Sequence, residues 1–248
     1  MRRVLVLLSL TTLLAAAGCG GDEPEERAAE PPAATATATE AATETATATA
    51  TETPSAASGD DEQVAEASTL KAEDFPSDWT SEPRDGDDTD SGCKDFEAAK
   101  ADAAARVDAD DFSKGQTTFA INTVWIYEDE AGATEAFKSV GTEKTRECFA
   151  EALAKQLAGE SDGPEVGDVT EQYLEVGEVG DEVEAGRVTI PLETGGQSID
   201  LALDLVFARA GRGITLLGFL DVQAPFAASL RDELTNKAVD RLAENAGA

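Results

Sequence analysis

Catalysis needs particular side chains at workable spacings, and several of the usual ones are missing from this chain. Its 248 residues include no histidine, three cysteines, and 51 Asp and Glu against 19 Lys and Arg. Without imidazole there is no Ser-His-Asp or Cys-His nucleophile pair and no histidine metal ligand. Neither a Walker loop nor a G-x-G-x-x-G run occurs, so no phosphate cradle of those kinds is encoded. Ser68-Thr-Leu-Lys71 matches the S-x-x-K pattern in which lysine helps deprotonate serine, but no K-T-G element follows it. Asp85-Gly-Asp-Asp-Thr-Asp90 offers oxygens to a hard cation. Counted from Asp85, however, position six is Asp90 where an EF-hand has glycine, and position twelve is Phe96 where it has glutamate. This segment is expected to be a solvated acidic loop. Two carboxylates suffice for a glycosidase, yet nothing among so many acids selects a pair. The expectation is a protein with no catalytic residue, no metal site and no cofactor.

The cysteines carry the clearest chemistry. Arg2-Arg3 is followed by an apolar run of 11 residues, Val4 to Leu14, and then by Ala15-Ala-Ala-Gly-Cys19. A basic start, a short apolar run and a small-residue cleavage zone make an export signal. The run is shorter than the roughly 20 residues a membrane span requires. The small residues before Cys19 leave room for a peptidase, and they resemble the lipobox of bacterial lipoproteins, with Ala16 where leucine is usual. That resemblance implies cleavage after residue 18 and a diacylglycerol on the Cys19 thiol; two acyl chains anchor stably where one does so marginally. The bland alternatives are an ordinary secretory signal or an uncleaved anchor. Cys93 and Cys148 then remain as an even pair in an oxidising compartment, predicting a disulfide. Its 55-residue separation corresponds to roughly 4 kcal/mol of loop-closure entropy at most. The alternative is two buried free thiols.

The formal net charge of −32 repels nucleic acid and anionic head groups. Membrane contact is therefore expected through the lipid on Cys19 alone, on the outer face of the bacterial cytoplasmic membrane.

These features need elements to position them. Residues 20–66 hold twelve acids and one base, no aromatic residue, and an Ala/Thr/Glu tract over 34–54. Such a composition does not bury enough surface to offset chain entropy, so 19–66 is expected to be the lipidated cysteine and a disordered tether. Residues 67–248 then form one domain. The spacing predicts a helix over 94–107, a strand over 117–127 with Phe119, Ile121, Trp125 and Tyr127 on one face, and a helix over 130–157 kinked at Gly141. Strands follow at 169–176 and at 183–192, the latter bulged at Gly186. Thr194-Gly-Gly-Gln197 marks a hairpin into 199–208, which alternates with one face wet, and Ala210-Gly-Arg-Gly213 turns into 214–222. Pro225 opens a final helix carrying Phe226, Leu230, Leu234, Ala238 and Leu242. Consecutive hairpins with helices before and after make the class α+β, a mainly antiparallel sheet packed with helices. Within it Trp125 reads as core, Trp79 as core or as the edge of a ligand groove, and Arg209 and Arg212 as solvated residues at a hairpin tip, with contact to an anionic partner as the alternative.

The order of parts carries a resemblance: the lipobox, the Thr-rich tether, Phe75-Pro-Ser-Asp-Trp79, Cys93, a strand ending Val124-Trp-Ile-Tyr127, Cys148, and the hairpin Phe207-Ala-Arg-Ala-Gly-Arg-Gly213 before a last helix. It is similar to actinobacterial lipoproteins related to the extracytoplasmic sensor domain of the PknH-type mycobacterial kinase. The resemblance implies helices against an antiparallel sheet, held by disulfides. That kinase domain uses two cysteine pairs where this chain has one, so no ligand-binding residue carries over. The functional expectation is a non-catalytic binding or sensing module for an envelope ligand. The alternative is an accessory protein docking on another envelope component.

Overall fold

A computed structural model describes residues 58–84, 91–159, 164–222 and 224–247. Cys19, the export signal, tether residues 20–57 and the Asp85–Asp90 loop lie outside the described residues. Their centre is one sheet. Four long strands, β4 (Thr118–Ile126), β9 (Gly213–Val222), β8 (Gln197–Ala210) and β7 (Glu182–Thr194), lie side by side in that spatial order. On the far edge of β4, β2 (Ala105–Asp108) and β3 (Asp111–Lys114) pair with its two halves, and β1 (Thr80–Glu82) pairs with β3. On the far edge of β7, β5 (Glu165–Val166) and β6 (Thr170–Tyr173) do the same. Every pairing is antiparallel, and β7–β8 and β8–β9 are consecutive hairpins.

Helices cover both faces. Helices α1 (Ser58–Ser68) and α5 (Ala228–Ala246) pack on one side, where Val124, Ile126, Val206, Ala208 and Leu217 meet Leu234, Ala238 and Leu242. Helices α2 (Lys94–Ala101), α3 (Glu130–Val140) and α4 (Glu143–Ala158) cover the other, over Trp125, Leu205, Phe207, Ile214, Val188 and Ile190. The class is α+β, with the sheet as the middle layer.

Several expectations change, each for a local reason. The helix expected over 94–107 ends at Ala101, and residues 105–108 are strand. Ala103 and Val107 are four apart, but they pack on opposite faces, Ala103 beneath α3 and Val107 beside α1. The open edge of β4 supplied a ladder that outweighed the Ala-rich propensity. The helix expected over 130–157 is two helices. Thr142 caps the second by accepting a hydrogen bond from the Thr145 N–H at 3.2 Å, so the chain restarts there and does not kink. Residues 58–66, placed in the tether, are helical and packed, with Ala65 fully buried. No bulge occurs at Gly186, whose register with Leu205 is continuous. Glycine stands there because a Cβ would come within 2.6 Å of the Arg146 side chain crossing the strand.

The wet face expected on β8 is dry from Ala202 onward, with Asp200 alone of its residues exposed. Val206 and Ala208 lie under α5, Ala202 is buried, and Asp204 between Ala202 and Val206 has no exposed surface. Asp204 accepts from Arg187 Nε at 2.6 Å and Nη2 at 2.8 Å, and from Arg231 Nη1 of α5 at 3.1 Å. The hydrogen bonds to Asp204 hold the Arg187 guanidinium above its ordinary value. A buried carboxylate is tolerable when paired in this way.

Candidate functional site

Among the chemically suggestive residues, the structure disperses most and brings a few together. Cys93 and Cys148 form a disulfide joining the start of α2 to α4, with Cα atoms 5.7 Å apart. Ser68 and Lys71 do not meet: the serine hydroxyl donates to Val64 O at 2.8 Å, and Lys71 Nζ donates to Glu66 O and Thr69 Oγ1. Both groups finish the end of α1, and no activated serine results.

The hairpin-tip arginines are structural, which corrects the solvated reading. Arg209 is 6% exposed and pairs with Glu182 at 2.6 Å, Asp181 at 3.1 Å and Glu130 at 3.6 Å. Arg212 pairs with the buried Asp61 of α1 at 2.7 Å and donates to Tyr127 O at 2.9 Å. The tip is tucked against the carboxyl end of α5. At Gly211, where φ is +55°, a Cβ would lie 2.5 Å from Ala246 O. Neither side chain is presented to an outside anion.

Trp125 is core, as expected, 3% exposed and set edge-on against Phe96 at 5.5 Å. Nearby, Tyr127 donates to Ala99 O at 3.0 Å, and burial pushes its hydroxyl well above the usual phenol range.

Trp79 behaves differently. The turn Phe75-Pro-Ser-Asp-Trp79 closes with the Trp79 N–H donating to Pro76 O at 3.0 Å, which throws the indole back over the sheet edge. There it contacts Phe75 at 5.0 Å and Phe226 at 5.9 Å between ring centres, and Phe226 rests on Phe219 at 4.9 Å. Phe226, itself buried, is set by the segment just before α5; Leu230 from the first turn of α5 adds an aliphatic wall. Trp79, Phe226 and Leu230 line a half-open groove of about 360 Å³. Its rim is polar. Asp78 pairs with Lys114 at 2.8 Å, and Asp221 accepts from the Thr118 hydroxyl at 2.9 Å. The hydrogen bond from Lys114 holds the Asp78 carboxyl below its ordinary value.

An aromatic floor with a few polar groups at the mouth is the usual make-up of a small-ligand site. Nothing in the groove couples a nucleophile to a base. Among the described residues no three potential ligands gather to hold a metal ion, and no helix is long and apolar enough to cross a membrane. Sequence reasoning weighed Trp79 as core or as a groove edge and did not single out Phe226, Lys114, Thr118 or Asp221 as groove residues. Thr118 and Asp221 are 103 residues apart and meet only because β4 pairs with β9.

No family model matches the chain, and no curated protein sequence does. Two solved structures from Mycobacterium tuberculosis are similar in fold. One is the extracellular domain of PknH, at 11% identity and a TM-score of 0.41, covering 74% of this chain and 96% of that one. The other is LpqN, a protein involved in cell envelope biogenesis, at 11% identity and a TM-score of 0.27, covering 69% and 76%.

Proposed function

We propose that the chain is an extracytoplasmic lipoprotein, cleaved before Cys19 and anchored by lipid there, whose domain binds a small envelope ligand in the Trp79 groove without transforming it. The observation that carries this reading is the partly buried Trp79, held near buried Phe226 in a groove with a polar rim. A large indole left partly in water on a domain with a well-filled core is a contact surface held ready. The accessory-protein alternative calls for an exposed apolar patch. Among the described residues, Tyr173 at 63% is the one large hydrophobic side chain left exposed, and a single side chain is no patch.

The anchor is tested by Cys19→Ser, which should move the intact, folded protein from the membrane fraction to the medium; continued membrane association would sink that part. The groove is tested by fluorescence. Trp125 is sealed, so a brominated short-chain alkyl probe entering the groove should quench the Trp79 share of the emission and leave the rest. Equal quenching in Trp79→Phe would refute groove binding.

A further inference from the structure

Resting on that reading, we infer that the Trp79 groove selects an amphiphile with a cationic head, an alkylammonium group at the rim with its chain along Trp79 and Leu230. The argument is one of charge and geometry at the mouth. Three charged groups stand there: Asp78, Lys114 and Asp221. Lys114 is engaged by Asp78 at 2.8 Å, so those two cancel. Asp221 accepts the Thr118 hydroxyl and has no cationic partner among the described residues, leaving the rim one negative charge in excess. The same groove is lined by the Trp79 indole, whose face attracts a cation more strongly than any other side-chain ring. An anionic head group would meet Asp221, find its one possible counter-ion already engaged, and enter against a chain of net charge −32. A neutral head would leave the carboxylate unanswered. An ammonium satisfies both the carboxylate and the ring, and the apolar wall takes the chain.

The test compares octyltrimethylammonium, octyl sulfate, octyl glucoside and tetramethylammonium, all below micelle-forming concentration, by titration calorimetry on the full-length protein with Cys19→Ser. The expected result is one site, with octyltrimethylammonium bound about tenfold tighter than octyl glucoside, and octyl sulfate weakest. Tetramethylammonium should bind far more weakly, because it lacks the chain. Asp221→Asn keeps an oxygen for Thr118 and should bring the ammonium probe down to the level of the glucoside while glucoside binding persists. Glu171→Gln, on β6 outside the groove, should change neither. Lys114→Met frees Asp78 and should tighten the ammonium probe further. Equal binding of the three octyl probes, a preference for sulfate, or an unmoved Asp221→Asn would overturn the cationic assignment and leave the groove standing. Equal binding of tetramethylammonium and its octyl analogue would overturn the amphiphile assignment, pointing to a basic side chain as occupant. No binding of any probe would overturn the groove reading itself.

Discussion

The two tryptophans sit in aromatic clusters of similar make-up and opposite accessibility. Trp125 stands edge-on to Phe96 of α2, which stands edge-on to Phe149 of α4 at 4.7 Å, and the Cys93–Cys148 bond ties those two covering helices together. Trp79 leans on Phe75 and Phe226 at the opposite face and stays partly exposed. The difference lies in what covers each cluster. Over Trp125 run whole helices joined by a covalent bond; beside Trp79 lie a five-residue turn and the first turn of α5. The same chemistry serves cohesion where the cover is complete and contact where it is not.

The contrast breaks most sharply under truncation. Trp125→Ala should cost about 3–5 kcal/mol, leaving a cavity that close-packed helices cannot fill; urea denaturation would show the midpoint fall. Removing the bond with Cys93→Ala and Cys148→Ala together should cost about 2–4 kcal/mol, with the loss confined to stability and groove binding retained. If the double variant lost binding of the octyl probes while still folded, the two regions would be coupled and the comparison wrong. Trp79→Ala should cost only about 1 kcal/mol, because part of the indole is already in water, yet should abolish probe binding. A loss near that of Trp125→Ala would make Trp79 core after all.

The smallest effect is electrostatic and belongs to the sealed side. Burial opposes ionisation of Glu97, but hydrogen bonds from the Ser91 N–H at 2.9 Å and hydroxyl at 2.7 Å outweigh it and hold the carboxyl below its ordinary value. A lowered folded value contributes stability above the unfolded pKa of about 4.3, which is lost as pH falls through the folded one. Glu97→Gln should therefore flatten the acid limb of stability below about pH 4.5 by a few tenths of a kcal/mol, and leave pH 7 to 9 parallel to the native curve.

The hairpins and the strongest alternations were legible because they are local: Thr194-Gly-Gly-Gln197 and Ala210-Gly-Arg-Gly213 turn where their composition says. The disulfide was legible by elimination. What failed was what depends on distant chain. Ala103 and Val107 fit a helix until the edge of β4 is present to pair with. Asp204 looks like a wet-face residue until Arg231, 27 residues on, reaches it. Arg209 looks like a tip residue until Asp181 and Glu182 fold beside it. At the groove, Trp79 was visible as a large apolar residue in a polar stretch. Its partners are ordinary residues that only the pairing of β4 with β9 brings to one place.

Helix α1 has a mechanical consequence. In the lipoprotein proposed above, a pull from the anchor would enter the described residues at Ser58. From there it meets a clasp at Asp61 and Arg212, then a buried one where the Leu70 N–H donates at 2.8 Å to Asn122 Oδ1, in the middle of β4. Asn122 is itself tied to β9 through Thr215 at 2.8 Å and Leu216 O at 3.2 Å. Tension is thus delivered to the central strands and bypasses the short edge strand β1 and the turn that carries Trp79. The groove can keep its shape while the rest of the molecule is tugged.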